Sequence, residues 1–338
     1  LSEAARKFSG QALSNTLGLA SVAARQFPVA SPEEVFSAID WARSERLPLV
    51  ALGEGSNVVL PPRLEAAVLE VTDDSVTILA EADGWVSLRV GAGKNWHALV
   101  EETLAQGLYG LENLALIPGR VGAAPVQNIG AYGREVAEFV LGLQGVDLKE
   151  RRLVTLTLPD CHFGYRDSVF KHALKDRFLI MTLDLRLSRT GNTDVSYPAL
   201  AERLGDGPIT SQSIFDAVVS LRREKLPDPS REPNAGSFFK NPVLDAQDIE
   251  RLRAAYPGAP LFPQSDGRSK TSAAWLIDRC ALRGFRLGRA RVSERHALVI
   301  TTETGATQAE VLQLAEHVMS RVTERFGIRL EIEPRVYD

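Results

Sequence analysis

Leu49-Val50-Ala51-Leu52-Gly53-Glu54-Gly55-Ser56-Asn57-Val58-Val59-Leu60-Pro61-Pro62 is the stretch on which the reading of this chain turns. A short apolar run bounded by glycine predicts a buried strand over 49–52. A glycine-rich turn follows, and Val58-Val59-Leu60 predicts a second strand, stopped by the two prolines. Such a turn exposes backbone N–H groups that suit phosphate oxygens, and Gly-x-Gly after a strand invites comparison with the dinucleotide-binding fingerprint. The comparison fails. The third glycine would fall at Val58, and the chain continues as a strand rather than as a helix whose N-terminus takes a pyrophosphate. A bland tight turn and a nucleotide loop of another kind both stay open.

Outward from this turn, helices and short strands mix without repeats or low-complexity tracts. Upstream, Ser31-Pro32-Glu33-Glu34 is a helix start, with Val35, Phe36, Ile39 and Trp41 on roughly one face. Downstream, Ala67-Val68-Leu69, Val76-Thr77-Ile78-Leu79 and Val86-Ser87-Leu88 are separated by Asp73-Asp74 and Asp83-Gly84 as hairpin turns. A helix is predicted over 96–106, with strands over 153–158 and 179–187 and a helix over 213–225. Leu226-Pro227-Asp228-Pro229 ends that helix and is the best linker in the chain. Beyond it the pattern predicts helix over 271–279, strand over 297–301, long helix over 309–326 and strand over 330–332. The class is α+β.

At 338 residues with 44% apolar content, the chain is two to three domains long and can fill real cores. Thirty-nine Lys and Arg against 43 Asp and Glu give a net charge of −4, which argues against a polyanion-binding surface and so against nucleic acid. No apolar run approaches a membrane span. Residues 1–13 are polar and lack a signal-peptide apolar core, so the cytoplasm is the expected location. The two cysteines, Cys161 and Cys280, lie far apart, which excludes a disulfide framework and a cysteine-built metal site. The five histidines, His97, His162, His172, His296 and His317, show no metal-type spacing, so no metal is expected.

Three further segments can carry chemistry. Ile117-Pro118-Gly119-Arg120-Val121-Gly122-Ala123-Ala124-Pro125-Val126-Gln127-Asn128-Ile129-Gly130-Ala131-Tyr132-Gly133 holds four glycines and three alanines in 17 residues. A backbone with so little side-chain bulk can press against a flat ligand, and long loops in globular domains are usually functional. It lacks the Gly-Lys-Ser/Thr ending of a P-loop. His162-Phe163-Gly164-Tyr165-Arg166-Asp167-Ser168 packs aromatics around Arg166, whose guanidinium suits a carboxylate or an anionic ring; an ordinary Arg166–Asp167 surface pair is the competing reading. Asn234-Ala235-Gly236-Ser237-Phe238-Phe239-Lys240-Asn241-Pro242 sets one hydroxyl between a glycine and two large rings. No Gly-x-Ser-x-Gly elbow or neighbouring histidine supports a hydrolase triad.

In this order the segments resemble the UDP-N-acetylenolpyruvoylglucosamine reductase family, in its longer form with a tyrosine loop that closes over the substrate. The match runs from Asn15-Thr16-Leu17-Gly18 through Gly91-Ala92-Gly93-Lys94-Asn95-Trp96-His97 and Lys225-Leu226-Pro227-Asp228-Pro229 to Leu330-Glu331-Ile332-Glu333. The resemblance implies three domains, two of them binding FAD in the manner of vanillyl-alcohol-oxidase-like flavoproteins: 1–73 rejoined by the tail 328–338, 74–226, and a UDP-sugar domain over 227–327. It implies a flavoprotein of peptidoglycan synthesis, hence of cell-wall biogenesis, cell shape and cell division. By the same resemblance, NADPH is expected to reduce bound FAD and leave, and the enolpyruvyl sugar to take its place. A monomer is plausible.

The resemblance also implies roles. Arg166 holds the substrate carboxylate, Glu333 hydrogen-bonds the same group with Glu331 as the fallback, and Ser237 donates the proton to carbon, helped by Lys225 or Lys240. Gly53, Gly55, Ser56, Asn57, Gly119, Gly122, Gln127, Asn128, Gly130 and Tyr132 fall on FAD-contacting loops. Tyr165, Tyr197, Arg222, Lys225 and Asn241 fall on the substrate side. Ala123-Ala124 replaces serine hydroxyls common in the family, leaving backbone N–H groups to meet the pyrophosphate there. A flavin-dependent alcohol oxidase of the same fold and a non-catalytic nucleotide-binding relative are the alternatives. The first has no need of the Ser237 loop, and the second has no reason to keep Ser237, Arg166 and the tail glutamate together.

Overall fold

Ser31 accepts the Glu34 N–H, Pro32 fills the first turn and Arg46 closes the far end at φ +56°, which together define α1 (Pro32–Glu45). The helix buries Val35, Ala38, Ile39 and Ala42. The computed structural model describes residues 10–191, 193–264 and 266–338. It divides into two units, the first comprising residues 10–11, Ala23–Glu54 and Glu65–Glu224, the second Ala12–Val22, Gly55–Leu64 and Lys225–Asp338.

The first unit is built on two sheets. Leu49–Ala51 runs parallel to Arg63–Val71, which lies beside Val22–Val29. The larger sheet is antiparallel throughout, in the order Arg152–Thr157, Val140–Asp147, Phe178–Ser188, Trp85–Gly91, Val76–Ala82. Its middle strand alternates so that Leu183, Leu185 and Leu187 are fully buried. The helices α2 (Trp96–Ala105), α3 (Pro198–Leu204) and α4 (Ser211–Lys225) supply Trp96, Leu99, Leu200, Ile214 and Val218 to the same core. Each such side chain contributes roughly 1.5–3 kcal/mol by leaving water. One central strand, Val140–Asp147, has no counterpart among the predicted elements, because Gly142 and Gly145 interrupt its apolar pattern. Packing demands those glycines: a Cβ on Gly145 would lie 2.3 Å from the Leu179 carbonyl oxygen.

The second unit carries α5 (Ala246–Ala255), α6 (Ala273–Arg279) and α7 (Gln308–Phe326). A capping box of Thr307 and Glu310 starts α7, and Gly327 at φ +67° ends it. One sheet orders Asn234–Ser237, Val299–Thr302, Ala290–Val292 and Arg286–Leu287; another orders Val243–Leu244, Ser269–Thr271 and Leu261–Pro263. The helix predicted from residue 271 begins two residues later, since Ser269–Thr271 is a strand and Ser272 is the cap. The strand predicted over 330–332 is reduced to a single bridge between Ile332 and Phe239. The tail strand proper is Arg335–Val336, parallel to Val58–Val59. Pro334 has no N–H to give a ladder, and the Glu331 carbonyl and Glu333 N–H are bonded to the 238–240 segment. Among the described residues no helix is long and apolar enough to cross a membrane.

Candidate active site

In the first unit the glycine-rich loop is anchored at both ends. Its entry is bonded to the start of α2: Trp96 N–H donates to the Gly119 carbonyl at 2.9 Å, Val121 N–H to Lys94 at 2.8 Å and Gly122 N–H to Ala92 at 2.9 Å. A Cβ on Gly122 would meet the Ala92 Cβ at 2.6 Å, so only glycine fits. Gly119 sits at φ +113°. Gly53 meets Arg120 only at ordinary contact distance, 3.7 Å. Asn128 is 1% exposed and left-handed at φ +46°. Its amide donates to Glu135 Oε2 at 2.7 Å and to the Gly164 carbonyl at 3.0 Å, and its oxygen accepts the Ala137 N–H at 3.1 Å. Both side-chain N–H groups are thus used inside the protein. Gln127 stands next to it, half-buried.

Arg166 lies at the tip of a two-residue turn closed by paired bonds between Gly164 and Asp167 at 3.0 and 3.1 Å. Its own φ is +52°, a conformation costing a non-glycine residue roughly 1–2 kcal/mol. Three contacts hold it there: Nη2 donates to the Gly130 carbonyl at 2.7 Å, Lys171 Nζ donates to the Arg166 carbonyl at 2.8 Å, and the guanidinium lies over the Tyr165 ring at 5.4 Å. Asp167 pairs with His172 at 2.8 Å. The turn therefore binds the arginine to the glycine loop.

Tyr132, at φ +48°, meets Tyr197 edge to face with centroids 5.3 Å apart. Sequence reasoning passed over the residue that joins these tyrosine segments. Asn113, wholly buried, donates to the carbonyls of Tyr132 and Asp194 at 2.9 and 3.4 Å. Burial pushes the Tyr132 phenol up, with Arg222 pulling the other way. Arg222 itself is pushed down, first by burial and also by the nearby charge of Arg166, and its buried Nε has no hydrogen-bond partner. A buried guanidinium with an unpartnered Nε, feeling the charge of a second arginine, favours an anion beside it. That preference, with the glycine cradle, fits a dinucleotide bearing phosphates and an anionic ring.

In the second unit, Gly55 stands at φ +67°, and a Cβ there would lie 2.3 Å from the Ser14 carbonyl oxygen. Thr16 N–H donates to the Gly55 carbonyl at 3.1 Å and its hydroxyl to Ser56 at 3.4 Å, while the Asn57 carbonyl accepts Arg335 N–H at 3.0 Å. The turn 55–57 is thereby fixed between the amino-terminal segment and the tail.

Ser237 ends a strand whose register slips between Asn234 and Ser237, a bulge with Gly236 at φ +70°. Asn234 builds the bulge: its amide donates to Pro227 and Glu232 carbonyls at 3.1 and 2.8 Å, and its oxygen accepts Gly236 N–H at 2.9 Å. An Asn two residues before a glycine is the signal that would have marked it. Phe238 and Phe239, fully buried, anchor the far side. Glu333 N–H donates to the Phe238 carbonyl at 2.9 Å, which lays the half-buried tail glutamate alongside the serine segment. Glu331 is engaged elsewhere, its carboxylate 2.6 Å from Lys240 Nζ. Lys225 is exposed and lies close enough to His296 to press its pKa down, behind the larger effects of burial and Arg283. Asn241 Oδ1 accepts the first N–H of α6, from Ala273, at 3.0 Å.

Residues 25–156 match the FAD binding domain model, and residues 228–337 match the model of the UDP-N-acetylenolpyruvoylglucosamine reductase C-terminal domain. Fold and cradle thus define an FAD-binding protein with a separate C-terminal domain. The reductase of Escherichia coli K12 is 44% identical over 321 residues, covering 95% of this chain and 93% of that one. That of Burkholderia pseudomallei is 47% identical over 328 residues, covering 95% and 94%. The chain belongs to the UDP-N-acetylenolpyruvoylglucosamine reductase family, and it is an FAD-dependent oxidoreductase. The crystal structure of the enzyme from Thermus caldophilus shares the fold with a TM-score of 0.65 at 24% identity, over 96% of both chains.

Proposed function

We propose that this chain uses NADPH, through FAD, to reduce the enolpyruvyl ether of UDP-N-acetylglucosamine-enolpyruvate to the lactyl ether of UDP-N-acetylmuramate. Arg222 carries the reading: its buried Nε has no hydrogen-bond partner and it feels the charge of Arg166, a setting that favours an anionic ligand. When bound, FAD supplies the hydride drawn from NADPH. The loops around Gly53, 55–57 and 117–133 hold it, with Gly119, Gly122 and Gly130 allowing close approach and Tyr132 closing one side.

The remaining chemistry belongs to side chains. Negative charge grows on the substrate's carboxylate as the double bond is reduced, and Arg166, preset by Gly130 and Tyr165, stabilises it without rearranging. Glu333 shares a proton with the same carboxylate. Ser237, at the end of the strand that the Asn234 bulge shapes, delivers a proton to carbon. Tyr197, Arg222, Lys225 and Asn241 bind the nucleotide diphosphate, and Tyr165 lines the sugar. Residues 1–73 with 328–338, then 74–226, serve as the FAD-binding subdomains, and 227–327 as the sugar domain. The protein works as a cytoplasmic monomer that takes a small-molecule substrate and no nucleic acid.

The test is optical. Purified protein should be yellow, lose its flavin absorbance when mixed anaerobically with NADPH, and regain it with the enolpyruvyl sugar. Bleaching without recovery by the sugar would overturn the assignment of substrate.

A further inference from the structure

Besides the three backbone bonds already described, two side chains tie the start of α2 to the glycine-loop entry. Trp96 Nε1 donates to the Leu114 carbonyl at 2.9 Å, and His97 Nδ1 accepts the Leu116 N–H at 3.1 Å. Leu116 is left-handed at φ +56°, one residue before the loop begins. The other face of the imidazole contact is α4: His97 stacks on Phe215 with centroids 5.8 Å apart and planes 11° from parallel. One ring therefore touches the entry of the loop and the helix that carries Arg222.

An imidazole accepts at Nδ1 only when it is neutral and carries its hydrogen on Nε2. Protonation would set an N–H against the Leu116 N–H. The charged groups facing this ring are Glu101 of its own helix, 3.5 Å from Nε2, and Arg222 and Arg223 of α4. Burial holds the ring below the ordinary histidine range; Glu101 opposes this and the two arginines reinforce it.

We propose that His97 is a positioning residue for the flavin: its neutral Nδ1 fixes Leu116 and with it the entry of the loop 117–133, so that acid loosens cofactor binding by charging this one ring. The inference rests on the reading that this loop holds FAD.

The experiment measures the FAD dissociation constant by flavin fluorescence from about pH 8 to about pH 4, reaching below the ordinary histidine range because burial holds this ring down, on reconstituted wild-type, His97→Asn and His97→Phe proteins. Asparagine places an oxygen where Nδ1 stood and cannot titrate; phenylalanine keeps the stack on Phe215 and loses the acceptor. Wild type should weaken about tenfold toward acid, the worth of one hydrogen bond. His97→Asn should bind with near wild-type affinity at neutral pH and without that weakening, and His97→Phe should be about tenfold weaker at every pH. An acid limb unchanged in His97→Asn, or wild-type binding by His97→Phe, overturns the proposal. Hydrogen exchange separates the two readings. If FAD binds but leaves 117–133 unprotected, the loop assignment fails and this inference falls with it. If the loop is protected and the variants match wild type, only the role of His97 fails.

Discussion

Arg166 donates from Nη2 to the carbonyl oxygen of Gly130 at 2.7 Å while its own backbone is held left-handed at φ +52°. The cation is preset by the loop assigned to the cofactor. A strained turn persists only where its surroundings over-determine it, and here the turn hydrogen bonds and Lys171 do so. Arg166→Lys should keep its FAD and lower kcat/KM by about 100-fold, since an ammonium supplies no planar fork and a small misplacement is costly. Steady-state kinetics with flavin content measured in parallel checks this; near-normal turnover would make Arg166 a structural residue.

Asn128 should matter through stability. Its buried amide makes three hydrogen bonds that water cannot replace, and asparagine tolerates its left-handed backbone better than alanine does. Asn128→Ala should destabilise the protein by about 2–3 kcal/mol. Thermal melts of apo and FAD-loaded protein would register it, with the larger loss expected in retained FAD.

Asp147 gives a pH prediction of definite sign. Burial alone would raise its pKa, but Arg177 at 2.7 Å and the N–H groups of Lys149 and Glu150 at 3.0 Å hold it below its usual 3.8. A depressed folded-state pKa contributes stability that is present above the unfolded value and lost as pH falls through the folded one. Asp147→Asn should therefore destabilise the protein by only about 1 kcal/mol at neutral pH, because the arginine of the pair is open to solvent, and by less still at about pH 3. Urea melts at the two pH values decide it; an equal cost at both would show that the charge is irrelevant.

The thiols should be inert. Burial pushes Cys161 up to about 11, and burial likewise raises Cys280. Native protein at about pH 8 should react with a disulfide reagent far more slowly than unfolded protein, because the thiolate is the nucleophile. Prompt labelling of Cys161 in the native state would contradict its burial.

Much of this was legible in the chain, and the failures have physical causes. The start signal Ser31-Pro32 marked α1 because capping is local chemistry. Val140–Asp147 was invisible because its glycines answer to neighbouring strands, which no local pattern records. The tail strand was displaced for a similar reason: hydrogen bonds from 331 and 333 go to the serine segment, so Leu330 to Ile332 could not form the ladder that their composition predicts. In the site, the residues assigned to ligands came from motifs, while those that position the surrounding loops did not. Asn113 and His97 reveal their work only through partners brought together by folding.

The most direct test of the central claim is an anaerobic stopped-flow comparison of wild type and Ser237→Ala, following flavin absorbance first with NADPH and then with the enolpyruvyl sugar. If Ser237 protonates the substrate carbon, reduction by NADPH should keep its rate while reoxidation slows by about 10²–10⁴-fold. Equal slowing of both halves, or reoxidation at the wild-type rate, would contradict the account.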